Sequence, residues 1–232
     1  ALNVSKSILD AFVTIDEQSL EQNTNLVQSI NGIGTKIGFL QKDPQSKKTA
    51  DEIMPIFEAI KAKANAVDDH FHNEMNEMFL TVEGKKWFTK DATSQVTTFI
   101  PLEEIQKKDD YDTPSAMFGG DTPKSDKRGK KFREDLMKYR DDLILTVADS
   151  VKDDKNAWHT IVKKDLESFQ SFEKFLIDDK HPNKSDLLEI YRSLTKPPTV
   201  KQHGEDKDWN VARFYHQPMV GVVSTMTSMR ND

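Results

Sequence analysis

The chain has 232 residues, a net charge of −6 and no cysteine. That length accommodates one large domain or two small ones, and the acidic balance argues against nucleic acid or anionic lipid as a whole-domain partner. The missing cysteines remove disulfides, thiolate nucleophiles and Cys-ligated zinc together, and no apolar run approaches the roughly 20 residues needed to span a bilayer.

In chain order, the pattern predicts a first long helix from about Asn3 to Lys42. Ile8, Phe12 and Ile15 share a face at i, i+4 and i+7. Leu26, Ile30, Ile33, Ile37 and Leu40 continue a stripe after a polar middle at Glu21–Asn25, and Pro44 marks the end. There is no initiator Met and the helical pattern is already present at Ala1, so a cut or processed piece is expected. A second helix is predicted from about Thr49 to Glu83, beginning close to Asp51 because Pro55 is tolerable only near its start. Its face reads Ile53, Phe57, Ile60, Ala64, Val67, Phe71, Met75, Met78 and Val82, with Gly84 as the stop.

Residues 85–124 change character. TKDATSQVTTFIP suits a short strand or an extended strap, PLEEIQKK a short helix with Pro at its first position, and YDTPSAMFGGDTP a loop. Phe99, Ile100, Met117 and Phe118 are apolar anchors that make this an ordered connection rather than a linker. A third strong helix is predicted over about Ser125–Lys152, burying Phe132, Leu136, Tyr139, Leu143, Val147 and Val151. A fourth runs from about Asn156 to Ile177 with Trp158, Ile161 or Val162, Leu166, Phe169, Phe172 and Leu176, and Asp153–Asp154 separates or bends the two. HPNKSDLLEIYRSL reads as a short helix capped at Ser185 or Asn183, and TKPPTVKQHGEDKD as a polar loop. The last helix spans about Gln217–Arg230 with Pro218 in its first turn. Long amphipathic stripes joined by short polar segments indicate an all-α helical bundle, taken as a single domain over residues 1–232.

Few stretches carry chemistry. NGIGTKIG lacks the spacing and the preceding strand of a phosphate-binding turn, and reads instead as a helix whose Gly34 and Gly38 admit a close neighbour. In DDHFHNEM, His70 and His72 point about 200° apart on a helix and cannot share one ion. Pairing His70 with Glu74, or Asp68 with His72, supplies two ligands where zinc usually takes three or four. Solvated positions flanking a buried Phe71 fit these residues better. KKDDYDTPS lacks the Gly and closing Glu of a calcium loop and reads as a solvated acidic turn. KSDKRGKK places Lys124, Lys127, Arg128, Lys130 and Lys131 at a helix start, against the macrodipole, and reads as a solvated face in preference to an anion or partner contact. No serine nucleophile motif is present, Glu103 and Glu104 are simply adjacent, and the methionines at 219, 226 and 229 suit core or interface. The expectation is therefore no enzyme, no cofactor and no metal.

Two end stretches and a central one resemble a known family. ALNVS (Ala1, Leu2, Asn3, Val4, Ser5) is similar to the residues that end the single transmembrane helix of the GldM and PorM family, the inner-membrane motor subunits of type IX secretion and gliding in Bacteroidota. WNVARFYHQPMVGVVSTMTSMRND, through Trp209, Phe214, Pro218, Met219–Val220, Gly221, Thr227, Met229, Asn231 and Asp232, resembles the closing helix of that family's first periplasmic domain. GKKFREDLMKYRDDL resembles its central helix, with Gly129, Phe132, Tyr139 and Arg140 in register, while the segment around His181–Lys207 is longer than in the family. The resemblance covers essentially the whole chain. It implies a transmembrane helix upstream of Ala1, β-rich periplasmic domains beyond Asp232, a homodimer, a ring of the multi-span partner GldL, and outer-membrane-associated components as recipients of the motion. The family's energy-coupling residues lie in the membrane, so none is carried over. The expected packing and dimer contacts are Ile8, Phe12, Ile15, Ile30, Ile33, Ile37, Met226 and Met229. The alternatives are a periplasmic helical domain sensing a ligand between its helices, and a metal-dependent enzyme using His70 or His72.

Overall fold

A computed structural model describes residues 6–91, 97–120, 125, 127–149 and 161–231. The motif residues Ala1–Ser5 and Asp232, the break at Asp153–Asp154, and Val151 and Trp158 lie outside the described residues. The fold is all-α: the helices are α1 (Lys6–Leu40), α2 (Lys47–Glu83), α3 (Asp112–Pro114), α4 (Arg128–Asp149), α5 (Phe169–Asp178), α6 (Lys184–Leu194), α7 (Trp209–Phe214) and α8 (Met219–Asn231). Two small antiparallel hairpins accompany them. Strand β1 (Phe88–Lys90) pairs with β2 (Thr97–Phe99), and β3 (Thr199–Gln202) pairs with β4 (Glu205–Asp208). The chain divides into two compact units.

The first unit takes the described residues of Ala1–Gln28, Asp68–Arg133 and Pro197–Asp232. At its centre is α8, whose Met219, Val220, Gly221, Val222, Val223, Ser224, Met226 and Thr227 are all buried. The run Met219–Val223 is apolar on every side, as a buried stretch of helix is, and aromatic pairs build the rest of this unit's core. Phe71 meets Phe132 edge-on at 4.9 Å between ring centroids, Phe79 stacks on Trp87 at 5.8 Å, and Phe214 packs against both Phe118 and Trp209. The amino end of α8 has donors without intrahelical acceptors. They are met by the 105–111 loop, where Asp110 O accepts from Met219 N at 2.8 Å and Lys108 O from Val220 N at 3.4 Å. The Asp110 carboxylate in turn accepts from the Asp112 and Thr113 amides and the Thr113 hydroxyl, starting α3. The acidic turn is thus a pair of helix caps. Beyond α3 the chain forms a π-helical turn, Ser115–Gly119, which buries Met117 and Phe118; the sequence reading of a loop here misses it because Gly and Pro dominate the local signal. Gly129 lies directly against this turn, and a Cβ there would sit 1.9 Å from Phe118 O.

Residues 199–208, expected as a polar loop, form the β3–β4 hairpin instead. Its two turn residues, His203 and Gly204, both have positive φ, 53° and 86°. Positive φ at both central residues is the geometry of a type I′ two-residue hairpin. A Gly in second place is the recognisable signal, obscured here by an acidic, non-alternating strand sequence.

The second unit comprises Ser29–Val67 and Glu134–Lys196. In the first of these stretches the end of α1 and the start of α2 face each other across a tight turn. Lys61 Nζ donates to Asn31 Oδ1 at 3.1 Å, Gln41 Nε2 donates to Asp51 Oδ1 at 2.9 Å, and Phe57 lies so close to Gly34 that a Cβ would meet its ring at 2.8 Å. Gly34 therefore does admit a neighbour; Gly38 has nothing within 4 Å and does not. Pro55 lies within α2, two turns from its start at Lys47. In the second stretch Ile144, Ala148, Ile161, Leu166, Phe172, Leu176, Leu187, Leu188 and Tyr191 form one hydrophobic cluster. The predicted fourth helix is broken: a 3₁₀ turn at Lys163–Leu166 precedes α5, which starts where the Ser168 hydroxyl accepts from Ser171 N at 3.1 Å. Helix α6 begins after Asn183, as one of the two predicted caps requires, although the Asn183 side chain makes no capping bond.

The inward row of α4 is Phe132, Leu136, Arg140, Ile144 and Ala148, an unbroken i+4 series. Reading only apolar residues shifts the later part of this row by one position, to Tyr139, Leu143 and Val147, all of which are half-buried. Arg140 holds its place in the row by pairing. Its guanidinium donates to Asp141 Oδ1 through Nε and Nη2, to Thr195 Oγ1 and to Leu166 O, and lies 4.3 Å from the centre of the Tyr191 ring.

Candidate functional site

The most concentrated buried chemistry lies in the first unit, in a polar seam where α1, α2 and α8 meet. Helix α1 contributes Asp16 and Ser19, both buried, and Asn23, at i, i+3 and i+7. Helix α8 contributes Thr227, Arg230 and Asn231, at i, i+3 and i+4, and α2 contributes Asp68 and His72, at i and i+4. Arg230 Nε donates to Asp68 Oδ1 at 2.5 Å, and its Nη2 donates to Asn23 Oδ1 at 3.3 Å. Asn231 Nδ2 donates to the Ser19 carbonyl at 2.9 Å, clamping the last turn of α8 onto α1.

Asp16 is 1% exposed. Burial pushes its carboxyl up to about 6, against the pull of the nearby Thr227 hydroxyl and the Arg230 charge, with Glu17 adding to the rise. The Thr227 hydroxyl lies beside the carboxyl without a well-formed hydrogen bond, and Asp16 Oδ1, Thr227 Oγ1, Arg230 Nη1, Asn231 Oδ1 and His72 Nε2 are all buried without a hydrogen-bond partner. Most buried polar atoms in folded proteins are paired, so such a concentration is unusual. His72 is 4% exposed and stacks on Phe88 at 4.1 Å between ring centres. Burial, aided by Arg230 and Lys90 and opposed by Asp68, holds its imidazole down at about 4, so it is neutral at pH 7 although its Nδ1 is 3.5 Å from Asp68 Oδ2.

These positions correct the sequence reading of α1. Ile8 and Ile15 are exposed, Phe12 is half-buried, and the inward residues are Val13, Asp16 and Ser19. Following apolar side chains selects the wrong face because the surface that α8 offers, Thr227, Arg230 and Asn231, is polar. His72 is likewise buried rather than solvated, and His70 is half-buried 5.3 Å from the Phe132 ring. Of the other expected contact residues, Met226 is fully buried and Met229 half-buried, while Ile30 and Ile33 are exposed and Ile37 half-buried. Leu26, Ile30, Ile33 and Leu40 therefore leave an apolar stripe open along α1. Among the family-motif residues Trp209, Phe214, Pro218 and Arg140 are buried, and burial raises the half-buried Tyr139 hydroxyl. In the basic stretch, Arg128 reaches Glu74 at 3.4 Å and Glu77 at 3.8 Å, and Lys130 reaches Asp208 at 4.0 Å, so part of this cluster is a set of ion pairs rather than a free face.

Among the described residues no group of three or more His, Cys, Asp or Glu side chains is placed to hold a metal ion. No helix among them is long and apolar enough to cross a membrane. A cavity of about 390 Å³ in the second unit is lined by Asp165, Ser171, Lys174, Phe175, Asp178 and Asp179, a polar lining unlike the apolar walls of most small-molecule sites. Compared with known proteins, the chain matches no family model and no curated sequence.

Proposed function

We propose that this chain is the first periplasmic segment of an inner-membrane motor subunit of the GldM and PorM kind. In this reading it is a homodimer, held in the inner membrane by an upstream transmembrane helix inside a GldL-like ring. It passes proton-driven motion towards outer-membrane-associated components of type IX secretion or gliding. Its part is mechanical, without catalysis, cofactor or metal. The resemblance of the end and central stretches supplies the identity, and one observation supports the mechanical role. A 35-residue helix carries an exposed apolar stripe at Leu26, Ile30, Ile33 and Leu40 while its first half is bolted into a packed unit. Exposed apolar stripes on helices suit a partner helix, and the occupant proposed here is the same stripe of a second copy.

The decisive experiment purifies the full-length parent from detergent-solubilised membranes and measures the mass and composition of the complex. Two copies together with an oligomeric ring of a small multi-span protein support the motor. A protein without such a ring overturns it and puts a periplasmic ligand sensor ahead, which a saturable ligand-dependent rise in melting temperature would then establish.

A further inference from the structure

We propose that Asp16 and the last turn of α8 form a proton-operated latch within the first unit, closed when the Asp16 carboxyl is protonated and eased when it is ionised. The motor assignment is not needed for it; the placement of the groups is. Asp16 sits on the inward face of α1, with Thr227, Arg230 and Asn231 presented by α8 and Asp68 and His72 by α2. Glu17 of α1 and Lys90 of β1 are the further charges acting on the seam. One guanidinium thus serves two carboxylates, and its Nε is already committed to Asp68.

The two protonation states of Asp16 differ in what they can bond. Ionised, the carboxylate only accepts, and it adds a buried negative charge to a seam in which Arg230 Nε is already committed to Asp68. Protonated, it removes the buried charge and leaves Asp68 and Arg230 as a balanced pair, and the neighbouring Thr227 hydroxyl, which favours the ionised form, offsets this only in part. The clamp closed in that state consists of Asn231 on the Ser19 carbonyl and Arg230 on Asn23. With the carboxyl raised to about 6, closure sets in as the pH falls through that value. Towards pH 4 His72 gains a proton beside Arg230 and Lys90, which opposes closure and gives the latch a lower limit.

The test follows the Asp16 carboxyl by carbon NMR in the wild-type chain from pH 8 to pH 5. Alongside it, amide hydrogen exchange at Met229, Arg230 and Asn231 is measured, corrected for the intrinsic pH dependence. The expected result is a carboxyl midpoint near 6 and a rise in protection on protonation. Over this range that rise is at most about 10-fold, since a carboxyl at about 6 in place of 3.8 gains one factor of ten between pH 6 and pH 5. In Asp16→Asn, which keeps a donor and cannot ionise, protection stays high and flat across the range. A midpoint near 4, wild-type protection that ignores pH, or an Asn variant that keeps the wild-type pH dependence overturns the latch. The wild-type titration decides without the variant.

Discussion

Asn76 treats Phe88 as a neighbouring strand would. Its side-chain Nδ2 donates to Phe88 O at 3.1 Å while its Oδ1 accepts from Phe88 N at 2.9 Å, so one amide on α2 pairs both backbone groups of a residue in β1. Losing one partner of a buried hydrogen bond costs about 1–3 kcal/mol because the other stays dehydrated. Asn76→Asp replaces the donor by an acceptor facing Phe88 O, and is expected to cost at least as much as Asn76→Ala, about 2 kcal/mol. Urea denaturation of both variants checks the order; an Asp variant as stable as wild type would show that the pairing carries nothing.

Arg140 makes the same point in the second unit. Removing the buried guanidinium strips the Asp141 carboxylate of its cation and takes one donor each from Thr195 Oγ1 and from Leu166 O, which keeps the Tyr191 hydroxyl. Arg140→Ala is expected to destabilise by about 3 kcal/mol. Arg140→Lys keeps the charge but loses the planar fork, and is expected to recover less than half of that. A calorimetric comparison of the two separates charge from geometry.

Stability should fall between pH 6.5 and pH 4, because two buried histidines outweigh one buried carboxyl. Asp16, raised to about 6, favours the folded state increasingly as pH falls from about 6 to 3.8. His72, lowered to about 4, contributes stability that is complete above 6.5 and is lost as pH falls towards 4, and His181, also held down to about 4 by burial, acts in the same direction. Replacing His72 by Phe, which suits its stack on Phe88, removes a loss of up to about 3 kcal/mol at pH 4. The variant's melting temperature should then rise on acidification relative to wild type, and parallel curves would sink the assignment.

Two helix glycines should respond in opposite ways to Ala. Gly129→Ala drives a methyl into the Phe118 carbonyl, a backbone atom that cannot step aside, and is expected to cost 3 kcal/mol or more, roughly an overpacking penalty at its upper end. Gly38→Ala meets nothing within 4 Å and should stabilise α1 by about 0.5–1 kcal/mol. Thermal melts of the pair suffice.

Ile30→Lys and Ile33→Asp change exposed residues, so the fold should keep its melting temperature to within about 0.5 kcal/mol of stability. Their effect should fall on mass in solution. Loss of the dimer with intact helicity supports the second-copy interface, and unchanged mass argues against that stripe.

The long helices were legible because their apolar stripes repeat over many turns, and Phe71, Met75, Met78 and Val82 are buried as that pattern requires. What escaped the sequence was polar burial. Asp16, Ser19, His72 and Arg140 are buried, yet as residue types they are normally found outside, and what surrounds them comes largely from residues distant in sequence. A stripe read from one helix cannot show what faces it. The hairpins were hidden for a different reason: three- and four-residue strands hold too few positions to display a period, and EDKD has no apolar residue to alternate. The seam was half visible, since DDHFHNEM drew notice as a possible ligand set, but its real counterpart, Arg230, stands 162 residues away from Asp68.

To an engineer trimming this protein, the stretch from Ile105 to Thr113 resembles slack between two helices. It is a stopper. The carbonyls of Lys108 and Asp110 seal the amino end of the helix whose Met219–Val223 run is buried in the first unit, and Asp110 is also the knot that starts the next turn of chain. Shortening the stretch would uncork α8, and the damage would appear first in the core rather than on the surface where the cut was made.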